Sequence, residues 1–112
     1  MTKLSQKKCI PCAGGTPPLN KDQQEQLLKN LEGWQVVDGH HLKRSWKLAD
    51  FKSALALVND AGAICEQENH HADFNFGWGH VTITLYTHKI NGLTESDFIV
   101  AAKISEIKTE GL

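Results

Sequence analysis

From Val81 to Thr87, apolar and polar residues alternate without a break, the period-two signature of a strand with one buried face. A shorter alternating piece, Phe74-Asn75-Phe76, precedes it across Gly77-Trp78-Gly79, and the two glycines permit a chain reversal there. The pattern predicts a hairpin folding back near Trp78. A second hairpin is predicted upstream, running from Trp34-Gln35-Val36-Val37-Asp38 through Gly39-His40 to the stretch His41–Leu48, with Asp-Gly as its turn. Arg44 is the misfit of that strand, because it falls on the side shared by Leu42, Trp46 and Leu48.

Helical spacing accounts for the rest of the chain. Asn20 suits an N-cap, Gln23 completes a capping box, and Leu27, Leu28 and Leu31 form an apolar stripe before Gly33 stops the helix. Asp50 caps a second helix reaching about Glu68, with Phe51, Ala54, Leu55, Val58, Ala61, Gly62 and Cys65 on its expected buried face. Thr94 caps a third, in which Asp97 can reach back and Val100, Ala101, Ile104 and Ile107 supply the stripe. The order α-β-β-α-β-β-α predicts an α+β fold, a four-stranded antiparallel sheet with three helices on one face. Residues 1–19, ended by Pro17-Pro18, read as an irregular arm, and residues 20–112 as a single domain. The other sheet face is left partly bare, and small sheets in that position often pair with another copy. Self-association to a dimer or tetramer is therefore expected.

Composition narrows the function classes. Lys plus Arg number 12 against 13 Asp plus Glu, a net charge of -1 that offers no field for a polyphosphate backbone, so no nucleic-acid partner is expected. No strictly apolar run is longer than Phe98–Ala102, and none of signal-peptide length opens the chain, so a soluble cytoplasmic protein without membrane contact is expected. Three cysteines rule against a disulfide scaffold, and Cys65 reads as a small core residue. Cys9-Ile10-Pro11-Cys12 has the spacing of a redox pair or half a zinc site. The segment Ala13-Gly14-Gly15-Thr16-Pro17-Pro18 cannot continue a helix, however, and no nearby pair completes a tetrahedral set, so a flexible terminus is preferred.

The histidines carry the candidate chemistry. A hairpin centred near residue 78 opposes residues whose numbers sum to about 156–158, which places His70 and His71 beside Tyr86, Thr87 and His88 at its open end. His80, Thr82, Thr84, Tyr86 and His88 share one face of the second strand, and that polar face is the expected reaction surface. Imidazoles titrate near neutrality, so a group of them around a polar substrate can exchange protons, and Asp97 and Glu66 are the carboxylates available to fix a tautomer. Three histidines could also bind zinc, but neighbours on a strand point to opposite faces, which counts against His70 and His71 sharing one ion. No serine or cysteine lies between Glu66 and His88, and there is no phosphate-cradling glycine loop or dinucleotide fingerprint. Acid–base chemistry without metal or cofactor is what remains. His40 and His41 sit at the other turn and read as solvated loop residues.

Glu66-x-x-x-His70-His71, Phe74 and Trp78, Val81-x-Ile83-x-Leu85-x-Thr87-His88 and Gly92-Leu93-Thr94-x-x-Asp97 together resemble the signature of the pterin-4a-carbinolamine dehydratase family. The resemblance runs from about Leu27 to Ile107 and includes the Gly33-Trp34 pair. It implies dehydration of 4a-hydroxytetrahydropterin to quinonoid dihydropterin, in recycling of the pterin used by aromatic amino acid hydroxylases. It further implies that His70, His71 and His88 line the pterin site, with His70 and His88 transferring protons and His71 holding substrate. By the same resemblance Asp97 orients an imidazole, while Glu66, Trp34 and Thr87 form pocket walls or polar contacts. Ala72, Phe74 and Asn69 depart from residues common in such proteins, namely a proline, a tryptophan and an acidic residue. Two other readings stand beside the enzyme: a protein-binding or dimerisation module, since eukaryotic relatives assist a homeodomain transcription factor, and a small zinc protein using Cys9, Cys12 and histidines.

Overall fold

The first helix begins where Asn20 Oδ1 accepts the Gln23 N–H (2.8 Å) and Gln23 Oε1 accepts the Asn20 N–H (2.9 Å), closing the expected capping box. In the computed structural model, which describes residues 4–7 and 17–108, this helix is α1, Lys21–Leu28. It ends before Gly33 because Asn30 and Leu31 donate three residues back, to Leu27 and Leu28, and that tightened turn swings Leu31 into the core.

Strands β1 (Gln35–Val37) and β2 (His41–Lys47) form the upstream hairpin. Asp38 and Gly39 take φ of 55° and 63°, and the His40 N–H closes the turn on the Val37 carbonyl at 2.9 Å. Pairing resumes at Val37↔His41, so His40 is left outside the ladder as an extra loop residue. Arg44 sits on the inward side because Trp46 and Ser105 receive it. Its guanidinium lies 4.5 Å from the Trp46 ring centroid and donates to Ser105 Oγ at 3.2 Å and the Glu32 carbonyl at 3.3 Å.

Helix α2 spans Phe51–Glu68, capped by Asp50 Oδ1 on the Ser53 N–H. Its buried face differs from the expected one: Phe51 and Leu55 are exposed, whereas Leu57 is fully buried with Ala54, Ala61 and Cys65. Phe51 meets the ring of Phe76, itself exposed, at 5.9 Å between centroids, while the opposite side of α2 packs on the third helix and the sheet. The downstream hairpin consists of β3 (Asp73–Gly77) and β4 (His80–Leu85), paired from Asp73↔Thr84 to Gly77↔His80, inside the register expected from its turn. Strand β4 stops at Leu85, two residues earlier than the alternation predicts. Thr87 instead bridges Gly92, and His88–Ile90 form a single 3-10 turn, so His88 lies beyond the strand.

The sheet is antiparallel with order β1-β2-β4-β3. Leu42, Val81, Ile83 and Leu85 are fully buried beneath the helices, each such side chain contributing about 1.5–3 kcal/mol. Helix α3, Glu95–Ser105, buries far more than one stripe, taking in Phe98, Ile99 and Ala102 as well as Val100, Ala101 and Ile104. It is covered from several sides, by β2, α2, α1 and the short 3-10 turn Leu4–Gln6. That turn is fastened by Lys103 Nζ donating to the Ser5 carbonyl (2.8 Å), by Ser5 Oγ on Glu106, and by a Lys7–Glu95 ion pair at 3.2 Å. Cys9 and Cys12 lie outside the described residues.

Candidate active site

The end of α2 explains how two adjacent histidines part company. Asn69 adopts the left-handed conformation (φ 51°, ψ 42°), its N–H returns to Glu66, and the His70 N–H returns to the Cys65 carbonyl at 3.1 Å. Asparagine tolerates that conformation. Beyond this reversal His70 points towards α3, and its Nε2 lies 2.6 Å from Asp97 Oδ1. His71 turns back towards α2, with Nε2 3.1 Å from Glu66 Oε2 in an exposed pair. Such a solvated pair contributes little to stability.

Asp97 is fully buried, and three donors converge on it. Oδ1 accepts from His70, while Oδ2 accepts from the Thr87 hydroxyl (2.8 Å) and the Thr94 N–H (2.9 Å). Since the Thr87 proton goes to the carboxylate, its oxygen is left to accept from the Thr94 hydroxyl at 2.9 Å. A carboxylate offers no proton, so His70 Nε2 must carry one, and in the neutral ring Nδ1 is bare. The helix cap and the tautomer lock are therefore one residue.

His88 opens the 3-10 turn. It follows Thr87, which Asp97 holds, and its Nε2 is 3.9 Å from Asp73 Oδ2, two residues after His71. Asp97 ties the segment that precedes His88 to His70 through Thr87, while the exposed Asp73 only approaches the His88 ring. The centre lies off the end of the sheet, between the α2 C-terminus and the α3 N-terminus, rather than on the polar sheet face where spacing alone put it. That face pairs Thr82 with Ser45 by a 2.9 Å hydroxyl bond and presents Lys43, Ser45 and Lys47 to solvent.

The expected site residues divide accordingly. His70, Asp97 and Thr87 form one bonded set, His71 pairs with Glu66, and His88 follows Thr87 in the chain with Asp73 as its nearest carboxylate. Trp34 is not brought to them. It is buried against Trp46 (ring centroids 5.9 Å, edge-on) and donates to Ser105 Oγ at 2.7 Å. Ser105 closes α3 eight residues after Asp97, about 12 Å along the helix axis. Two neighbours of the cluster have no counterpart in the sequence analysis: Asp73, and Thr94 through its hydroxyl. The first opens a strand and could have been found from the register, since it lies opposite Thr84, two residues before Tyr86. Among the described residues, no three His, Cys, Asp or Glu side chains gather as a metal-holding group, and no helix is long and apolar enough to cross a membrane. A cavity of about 530 Å³ lies elsewhere, lined by Lys21, Gln24, Glu25, Leu28, Val36 and Gly39, none of which belongs to the cluster.

Comparison with known proteins places the chain in a family. The family profile described as Pterin 4 alpha carbinolamine dehydratase matches residues 17–107. A Rubrobacter xylanophilus protein is 51% identical over 107 residues, 96% of this chain and 100% of its own length. One from Alkaliphilus metalliredigens is 49% identical over 111 residues, 98% of this chain and 100% of its own. Both are provisionally named pterin-4-alpha-carbinolamine dehydratase, a hydro-lyase. The crystal structure of a transcriptional coactivator/pterin dehydratase from Brucella melitensis matches with a TM-score of 0.75 at 34% identity, covering 80% of this chain and 96% of that one. With a profile that spans every strand and helix α1 to α3, and relatives matched along their full length, the chain belongs to the pterin 4 alpha carbinolamine dehydratase family.

Proposed function

We propose that this protein dehydrates a 4a-hydroxytetrahydropterin to the quinonoid dihydropterin by histidine acid–base catalysis. The reaction breaks the C4a–O bond. The departing hydroxyl takes a proton from one imidazole and leaves as water. The N5–H gives its proton to another, and its electron pair forms the C4a=N5 double bond. Both transfers suit groups that titrate near neutral pH. The observation that carries the reading is the buried Asp97 carboxylate on His70 Nε2, at 2.6 Å. It holds the ring so that Nδ1 receives the proton, and it stabilises the imidazolium that results. His88, half-exposed beside Asp73, is assigned the proton donated to the hydroxyl, and His71 the grip on the pterin. Thr87 and Glu66 support these rings, through Asp97 and directly.

On this reading the protein acts in the cytoplasm, recycling the pterin cofactor of an aromatic amino acid hydroxylase, and self-associates. A coupled hydroxylase assay that follows decay of the carbinolamine tests it. His70→Ala and His88→Ala are each expected to lower turnover by about 10²–10⁴-fold. Wild-type turnover in both variants would refute the assignment. A second reading, a protein-binding module, is favoured by the naming of the Brucella melitensis relative as a transcriptional coactivator and by exposed Phe51, Leu55, Phe76 and Trp78. Light scattering after size exclusion separates self-association from a surface left for another partner. A monomer would remove the self-association.

A further inference from the structure

The rings of His70 and His88 are held by different means. His70 is partly buried and locked by a carboxylate, whereas His88 is about half exposed and its ring makes no hydrogen bond within 3.5 Å among the described residues. Its close ring contact is with Tyr86, centroids 4.1 Å apart and planes inclined by 48°. Tyr86 in turn meets the His40 ring at 4.6 Å. His40 Nε2 lies 2.7 Å from Asn91 Oδ1, and an amide oxygen only accepts, so Nε2 carries the proton. Asn91, in the left-handed conformation, returns its N–H to the His88 carbonyl at 3.2 Å. The contacts close a circuit: His88 ring, Tyr86 ring, His40 ring, Asn91 side chain, His88 backbone.

The far side of His40 is also fixed. With its proton on Nε2, His40 Nδ1 accepts from His41 Nδ1–H, 3.1 Å away. Burial, and next the neighbouring His40, hold the His41 imidazole below its ordinary range, against the opposing pull of Asp38, so His41 remains a neutral donor. The turn geometry makes the contact available, because His40 falls outside the strand ladder and is released from its alternation.

We infer that Tyr86 and His40 are positioning residues for His88, an aromatic stack anchored by Asn91 that sets the direction of its ring. The inference rests on the dehydratase reading for its catalytic consequence but not for its geometry. Loss of the stack leaves His88 free to turn about its side-chain bonds, and misplacement of a proton-transferring group lowers kcat while leaving substrate binding by His71 in place.

Two readouts test this. Proton NMR reports the ring-current displacement that Tyr86 imposes on the His88 ring protons, and steady-state kinetics separates kcat from KM. Tyr86→Leu is expected to abolish the displacement and lower kcat about tenfold with KM within about twofold, and Tyr86→Phe, which keeps the ring, to restore both. His40→Ala, at a surface turn, is expected to move the His88 signals in the same direction and lower kcat about threefold. Unchanged His88 signals and kcat in Tyr86→Leu would overturn the inference, as would a Tyr86→Phe variant as impaired as Tyr86→Leu. If the wild-type protein shows no dehydratase activity while the His88 signals respond as expected, the stack stands and the proposed function falls.

Discussion

Replacing Asp97 by asparagine changes one atom and poses a problem that the site cannot fully solve. Three donors point at the carboxylate: His70 Nε2–H at Oδ1, and the Thr87 hydroxyl and Thr94 N–H at Oδ2. An amide has one oxygen. Placed at the Oδ2 position it keeps two of the three bonds, so that orientation wins, and the NH₂ then faces His70 across the former 2.6 Å contact. Two donors cannot meet there, so His70 must move its proton to Nδ1 and accept on Nε2. The ring then presents a proton where the mechanism needs a lone pair. Each bond also weakens by about 1 kcal/mol when its acceptor loses charge, roughly 3 kcal/mol in all. Relief from burying a carboxylate returns part of that, leaving about 1–2 kcal/mol of destabilisation. For a domain of this size this is a fall of about 4–12 °C in Tm, whereas the tautomer change is expected to lower kcat by about 10²–10⁴-fold. Circular dichroism gives the first and the coupled carbinolamine assay the second. Nitrogen NMR of the imidazoles should show the His70 proton on Nε2 in the wild type and on Nδ1 in the variant. A variant that keeps kcat within about threefold while losing Tm would show that Asp97 only caps α3 and that its hold on the His70 tautomer has no part in turnover.

Other outcomes follow from the same structure. Asp50→Ala removes the α2 cap, and its effect should depend on pH: the Ser53 N–H holds the Asp50 carboxyl below its ordinary value of 3.8. A depressed folded value means the stabilisation is present above that pH and lost below it, so the Tm gap between variant and wild type should close in acid. Gly33→Ala should cost about 1–3 kcal/mol in urea unfolding, because φ is 88° and the new methyl would lie 3.0 Å from Arg44 Nε. A neutral unfolding curve there would discount the close approach. Burial pushes the Cys65 thiol above its ordinary range, so in a Cys9→Ser/Cys12→Ser chain iodoacetamide should label it slowly until the protein unfolds. Rapid labelling of the native chain would mean that the α2 face opens readily.

Much of the architecture was legible because its signals are local. Capping residues act within one turn, and the Gly-Trp-Gly reversal set a register that the ladder from Asp73↔Thr84 to Gly77↔His80 shares. The α2 stripe was misjudged by about one position because Phe51 and Leu55 are as apolar as Leu57. Only the packing of α2 on α3 and the sheet decides which of them is covered. For α3 a stripe was expected, but a helix enclosed by a sheet, two helices and the Leu4–Gln6 turn has no single outward face.

Local signals in the chain were enough for the element order, the caps, the hairpin register and the placing of the His70-His71 pair at the open end of the downstream hairpin. All of these follow from residues a few positions apart or from one turn. Tertiary structure alone decided which imidazole is locked and which is stacked. Asn69 parts His70 from His71, α3 brings a buried carboxylate to the first, and a distant turn brings His40 towards Tyr86 beside His88. It also drew Trp34 into the core beside Ser105. Periodicity records which face a side chain occupies, whereas hydrogen-bond partners across 27 residues or more depend on how whole elements pack.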